Sequence, residues 1–340
     1  MIGVTLDWEG YTMKAVILEQ YGAPEVLKLV EREIPQPGEG ELLVRMHTAS
    51  VAKPDYLMRT GAYPWTKGIL PFTPGLCGSG RIVALGAGVE GFRVGQGVFI
   101  DHPIACGCYS EYKLVPTANA FLLPEGTDLQ LAATMSNYVI GWSLLKNCCL
   151  PGEGKTLYMK GAAGALGSAV VQLAPLLGLT VIASASAPEK CAYLRTLGVE
   201  RVFCYRDTDE RQALMDYTHG AGVDYLLDQC AGAQFAGELD LLNRRGTIII
   251  YNTLGGMPKE NVIQLLTDHY DHCPAVRAFS FHLHDGRSDE LNALKTEVFT
   301  LLAHGKLHPH VGAVYAQQDI QAAHRRLDAG DCLGSILLTL

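Results

Sequence analysis

The sequence predicts an α/β protein of two domains, a doubly wound parallel sheet inserted into a β-rich domain built from both chain ends. Three observations predict it. The 340 residues exceed the roughly 250–300 at which a single core stops growing. The first third reads as short β segments punctuated by glycine and proline. From about Leu129 strands and helices alternate, and after about Leu307 short strands return.

In chain order, Lys14 to Glu19, Glu41 to Thr48, Gly80 to Leu85 and Gly97 to Ile100 are strands. Turn signals stand between them at Pro35-Gln-Pro-Gly38, Pro74-Gly75, Gly86-Ala-Gly88 and Gly95-Gln-Gly97. This is the pattern of a barrel or sandwich. Leu129 to Leu145 is apolar at helical spacing, with Pro151 and Gly152 beyond its end. Thr156 to Lys160 forms a strand, followed by a helix to Leu177. Thr180 to Ser184 is the next strand and Pro188 to Leu197 its helix, with further strands at Arg201 to Tyr205, Val223 to Asp228 and Thr247 to Tyr251. Such alternation implies a parallel sheet covered on both faces. Ile320 to Ala329 is a helix, and Ser335 to Leu340 is a short apolar strand that rejoins the first domain.

Bulk properties narrow the function. A formal net charge of -8 argues against nucleic-acid binding, which needs a basic face. No apolar run is long enough to cross a bilayer. Residues 1–12 are acidic, lack the form of a secretory signal, and are expected to be an extension before a strand that starts afresh at Met13. The ten cysteines lie mostly within apolar strand or helix patterns, so reduced thiols and a cytoplasmic location are expected.

The most informative segment lies between the first parallel strand and its helix, Gly161-Ala162-Ala163-Gly164-Ala165-Leu166-Gly167. Gly161 and Gly164 allow a tight turn and close approach to a pyrophosphate, and Gly167 allows the helix to pack on the strand. The helix N-terminus then offers N–H groups and a favourable dipole to the phosphates. In this strand–turn–helix setting the segment predicts dinucleotide binding. NAD enzymes carry an acid roughly 20 residues on, for the ribose 2′-hydroxyl. Here the second strand ends in Ala183-Ser184-Ala185-Ser186 with Lys190 following, and the third ends in Tyr205-Arg206. Hydroxyls, a cation and a phenol suit a 2′-phosphate, so NADPH is the expected cofactor. Tyr251, Asn252 and Phe281 complete the expected cofactor residues.

With Met13-Lys-Ala-Val, Val51 to Tyr63, Gly86-Ala-Gly-Val89, Val94-Gly95, Tyr109-Ser-Glu-Tyr112 and the glycine turn, the chain resembles the quinone oxidoreductase branch of the medium-chain dehydrogenases/reductases. The resemblance implies a GroES-like catalytic domain at 13–134 and 305–340, a Rossmann domain at 135–304, and a homodimer. Zinc-dependent relatives ligate the metal through a Cys in the segment that here reads Ser50-Val-Ala-Lys-Pro-Asp55 and a His in Pro74-Gly-Leu-Cys-Gly78. Ala52 and Leu76 stand there and cannot ligate. The four-cysteine structural lobe is also missing between Ile100 and Tyr112, so no metal is expected. A competing metal reading remains for Asp101, His102, Cys106 and Cys108 on one loop, against a bland loop with two thiols. The branch also has an Asn where Ala52 stands, a Thr where Ile140 stands and an Arg where Gly330 stands; the first two changes make the pocket less polar.

Without a Lewis acid, hydride transfer favours an electron-poor acceptor, either a quinone or the β-carbon of an α,β-unsaturated carbonyl compound. In related enoyl reductases the residue matching Tyr63 lies in the substrate cleft. Tyr63 is therefore expected as a hydrogen-bond or proton donor, or else as a wall. Asn137 and Tyr138 are expected to reach the nicotinamide side, with Tyr56 and Trp65 as walls. Three functions stay open: a quinone or enone reductase, a pathway enzyme performing a cyclisation or isomerisation on a tailored substrate, and a non-enzymatic NADPH-binding sensor. A small-molecule substrate is the expected partner of the first two.

Overall fold

The computed structural model describes residues 10–101, 106–150, 152 and 155–340. The chain forms two compact units: one through Ser136, with His284–His304 and Pro309–Leu340, and one from Asn137–Leu283 with Gly305–His308.

In the first unit, Thr12–Leu18 pairs antiparallel with Leu27–Glu33. A larger sheet runs in the order Val311–Ala316, Ser335–Thr339, Glu41–Val51, Cys77–Leu85, Gly97–Asp101, Ala120–Leu122, and Tyr112–Pro116 also pairs with Glu41–Val51. The terminal strand is thus the antiparallel neighbour of an N-terminal one, with Leu338 opposite Ala49. Alternation explains the sidedness of Glu41–Val51, where Val44 and Met46 are buried and Arg45 and His47 exposed. Val16, Leu42, Val44, Ile82, Val98 and Leu338 centre the core. Burying each such side chain stabilises by about 1.5–3 kcal/mol.

In the second unit six parallel strands lie in the order Arg201–Cys204, Leu179–Ala185, Lys155–Met159, Val223–Asp228, Leu242–Ile250, Ala275–Ala278. Numbered along the unit this is 3-2-1-4-5-6, the dinucleotide-binding order, with its reversal beside the first strand. Its core includes Tyr158, Ile182, Phe203, Leu226, Phe235 and Ile248. Among the described residues no helix is long and apolar enough to cross a membrane.

Three expectations need correction. The helix expected over Leu129 to Leu145 is two helices, Leu129–Ala132 and Met135–Cys148. Asp128 caps the first, and the Thr134 N–H and hydroxyl both return to the Leu131 carbonyl, at 2.9 and 2.7 Å, which ends it. The helix expected to run to Leu177 tightens after Leu173 into a short 3₁₀ segment, Ala174–Leu177, because Pro175 has no N–H for an α-helical bond. The helix Ser288–Ala303, which the expected boundary at 304 puts with the parallel sheet, belongs to the first unit. There Phe299 packs on Phe99 and Phe121, each with ring centroids 5.4 Å apart.

Candidate functional site

The glycine turn follows Lys155–Met159 and opens the helix Ala165–Leu173. Gly161 takes φ +62, a conformation that costs an L side chain strain. A Cβ on Gly167 would lie 2.2 Å from the Ala162 carbonyl oxygen, so only glycine lets the helix sit this close. The Ala162 N–H bonds the Ser184 carbonyl at 3.1 Å and ties the turn to the second strand. Gly164 is the N-cap residue, makes no side-chain cap, and has no atom within 4 Å of where a Cβ would be. Ala165, Leu166 and Gly167 therefore form a first helical turn whose N–H groups no side chain caps, the feature that binds phosphates at helix N-termini.

At the end of the second strand, Lys190 Nζ donates to Ser186 Oγ at 3.2 Å. The Tyr205 N–H bonds the Ala185 carbonyl at 3.1 Å, which joins the ends of the second and third strands. The Tyr205 side chain is 43% exposed. Ser186 and Lys190 are thus hydrogen-bonded at the end of the second strand, and Tyr205 is joined to that strand end through its backbone. Ser184 is not part of that group. It is fully buried, and its hydroxyl lies in hydrogen-bond contact with the Tyr158 hydroxyl at 3.1 Å, so the structure corrects it to a residue of the sheet interior.

Tyr158 leads to a network that sequence reasoning missed. Its hydroxyl bonds Glu210 at 2.8 Å, and Lys160 Nζ lies 3.5 Å from Glu210 and 2.8 Å from Glu238. Burial pushes the Glu238 carboxyl up to about 7. The network braces the strand end from which the glycine turn departs. Asp228 Oδ1 accepts the N–H groups of Cys230 and Ala231 at 2.7 and 3.0 Å and shapes the chain after the fourth strand. Tyr251, Asn252 and Phe281 are half-buried. The Tyr251 N–H bonds the Asp228 carbonyl at 3.0 Å, and burial raises its phenol, with the Asp228 charge adding to this.

Asn137 and Ile140 are half-buried on Met135–Cys148. Tyr138 departs from expectation. It is buried, and its hydroxyl accepts a 2.8 Å bond from Gln172. Gln172 in turn accepts the His308 N–H at 2.7 Å, so this phenol serves packing.

In the first unit Tyr63 is 8% exposed and packs against Trp65 with ring centroids 5.2 Å apart. Burial raises its phenol well above the ordinary value, and Cys106, Asp55, Asp285 and Asp101 push the same way. It stays protonated, which suits a donor. Tyr56 lies under the Lys53 ammonium, 3.7 Å from its ring centre, in a cation–π contact. Asp55 is buried and its Oδ2 accepts the Ala52 N–H at 2.9 Å. Ala52 and Leu76 offer no donor atom for a metal, and no group of three His, Cys, Asp or Glu among the described residues could hold one. His102, part of the competing metal reading, lies outside the described residues. Cys106 Sγ contacts Met58 Sδ at 3.4 Å, and burial pushes its thiol up to about 11. Gly330, where the branch has an Arg, closes the helix Ile320–Ala329 with φ +62.

The family model for zinc-binding dehydrogenases matches residues 165–273, and that for the alcohol dehydrogenase GroES-like domain matches residues 38–125. Quinone oxidoreductase of Homo sapiens is 26% identical over 339 residues, 96% of this chain and 98% of that protein. The quinone oxidoreductase of Pseudomonas syringae superposes with a TM-score of 0.89 at 27% identity, over 96% of this chain and 100% of that one. The Escherichia coli quinone oxidoreductase complexed with NADPH gives 0.89 at 25% identity, over 96% and 100%. The pieces agree with the 3-2-1-4-5-6 sheet and its glycine turn: the chain belongs to the medium-chain dehydrogenase/reductase superfamily, in its quinone oxidoreductase-like branch.

Proposed function

We propose that the protein is an NADPH-dependent, zinc-independent oxidoreductase that reduces a quinone or the carbon–carbon double bond of an α,β-unsaturated carbonyl compound. The observation that carries this reading is the uncapped helix N-terminus behind Gly161–Gly167, with Ser186, Lys190 and Tyr205 gathered at the adjacent strand ends. The NADPH complex of the Escherichia coli relative supports the cofactor. Bound NADPH supplies the hydride. The first-turn N–H groups hold the pyrophosphate, and Lys190 with Ser186 meets the 2′-phosphate. Tyr63 donates a hydrogen bond to the acceptor oxygen as it gains charge, and hands its proton on where a carbon must be protonated. NADPH oxidation measured with one quinone and one enone tests the reading; turnover of neither acceptor would end it.

Lys190→Ala should weaken NADPH by about tenfold or more, the worth of a hydrogen bond to a charged group, and leave NADH within about twofold. Calorimetric titration with both cofactors checks this, and equal losses would mean that Lys190 does not read the phosphate. Metal analysis of the purified protein should find no stoichiometric zinc, because Ala52 and Leu76 cannot ligate. One zinc per chain would redirect attention to His102, Cys106 and Cys108.

A further inference from the structure

The network around Lys160 holds more carboxylates than its one ammonium can neutralise. Lys160 Nζ faces Glu238 at 2.8 Å and Glu210 at 3.5 Å. Glu238 and Asp228 are each 2% exposed. Glu238 Oε1 takes the Lys160 bond, while Oε2 is buried and no donor among the described residues reaches it. The Glu238 carboxyl is in hydrogen-bond contact with that of Asp228. Two ionised carboxylates are both acceptors, so such a contact needs a proton on one of them. Asp228 is already occupied as an acceptor. Its Oδ1 takes the N–H groups of Cys230 and Ala231 at 2.7 and 3.0 Å, and its Oδ2 takes that of Ala231 at 2.9 Å. The proton therefore belongs on Glu238 Oε2, the oxygen without a donor. Burial pushes this carboxyl up to about 7; the Lys160 charge opposes the rise and the Asp228 charge adds to it.

The cluster stands at the glycine turn and lies wholly within the parallel-sheet unit. Lys160 directly precedes Gly161, and Gln229, next to Asp228, has its Nε2 3.0 Å from where a Gly161 Cβ would be. Ala231, held by Asp228, takes φ +50, a conformation alanine rarely adopts. The titratable groups facing Glu238 are Tyr158 and Lys160 at the first parallel strand, and Asp228 and Cys230 at the end of the fourth. Glu210 meets Lys160 and Tyr158. Arg211, beside it, turns instead to the Gly237 carbonyl and Asp240.

We propose that Glu238 is a positioning residue that takes up a proton when NADPH binds, so that cofactor affinity falls as the pH rises above neutral. The inference rests on the glycine turn being the NADPH site. Phosphates arriving at the turn add negative charge beside three carboxylates, which favours the neutral acid. Neutral Glu238 keeps one oxygen for Lys160 and donates from the other to Asp228, which holds the chain at Cys230 and Ala231. The proton comes from solvent on binding and returns to it on release, and no covalent bond changes. The sign follows. Below the free-enzyme value Glu238 is neutral with or without cofactor, and affinity is highest and flat. Between that value and the higher one of the complex, affinity falls by at most about tenfold per pH unit for one proton. Above both it is flat again and weak.

Calorimetric titration of the whole protein with NADPH, in pairs of buffers with different ionisation heats, counts the protons. The wild type should take up a fraction of a proton that grows from about pH 7 to about pH 8, with Kd rising about threefold to tenfold. The 2′-phosphate loses its second proton near about pH 6, below this window. Glu238→Gln keeps an acceptor for Lys160 and a donor for Asp228, so it stands as the permanently neutral form. It should take up no proton and bind NADPH at about pH 8.5 as tightly as the wild type does at about pH 6.5. A merely structural role would instead weaken binding at every pH, and that result in a variant with an unchanged melting curve would overturn the proposal. Proton uptake that persists in Glu238→Gln would overturn it as well. The wild-type count needs no variant: tight NADPH binding with no proton uptake between about pH 7 and 8.5 would overturn the inference and leave the cofactor site standing. Absence of NADPH binding at every pH would overturn the cofactor site and the inference with it.

Discussion

Gly167→Ala is expected to weaken NADPH binding about tenfold to a hundredfold and to lower the thermal midpoint. The new methyl would meet the Ala162 carbonyl oxygen at 2.2 Å, and that contact lies in backbone, which cannot rotate away. Either the helix Ala165–Leu173 lifts from the strand or the turn shifts. Overpacking of this kind costs about 1–3 kcal/mol, and both responses misplace the N–H groups proposed to hold the pyrophosphate. Gly164→Ala is the informative partner. Its methyl would meet no protein atom within 4 Å, so stability should hold while the cofactor, which needs that open face, binds more weakly. Fluorescence titration with NADPH and a melting curve for each variant separate the two. A Gly167→Ala protein with wild-type affinity and midpoint would show that this close packing does not matter.

The contrast between the two glycines shows what was legible in the sequence. The turn's spacing, its setting after a strand, and the missing acid at the second strand end are local features. They gave the parallel-sheet unit, the cofactor turn, and the grouping of Ser186 with Lys190. Ser184 was misassigned for a physical reason. Val181 to Ala185 are all buried, because a central parallel strand is covered on both faces. No alternation of polarity then says which way a small hydroxyl points. The break after Ala132 was hidden because Ala133 and Thr134 continue the apolar run, and only the returning Thr134 hydroxyl marks the end.

Long-range pairing was not legible at all. Lys295 Nζ reaches the Asp101 carbonyl across 194 residues, and neither position carries a local signal that it will be buried. The same holds for Lys160 and Glu238, 78 residues apart. A charged residue in a helical or strand pattern reads by default as a solvated face, and both pairs defeat that default. The helix Ser288–Ala303 was placed with the wrong domain for a related reason. Its apolar face, Leu291, Leu294, Val298 and Phe299, specifies that it packs but not on which unit.

Tyr63→Phe is expected to lower turnover on enones by up to about 10²–10³, the cost of losing one well-placed oxyanion donor, and to lower turnover on quinones far less. The chemistry sets the difference. Reduction of an enone concentrates charge on one oxygen and requires a proton at carbon, so a single donor matters. A quinone spreads the charge over a ring that becomes aromatic, and water protonates its oxygens. Burial and the surrounding carboxylates keep the Tyr63 phenol protonated across the neutral range, so its contribution should not vary with pH there. The packing against Trp65 involves the ring, which phenylalanine retains, and the glycine turn proposed to bind the cofactor lies in the other unit. Stability and NADPH affinity should therefore hold. Steady-state rates for both acceptor classes, with NADPH affinity measured alongside, decide the matter. Equal, wild-type rates on both classes would reduce Tyr63 to a wall and leave solvent, or another side chain, to supply the proton.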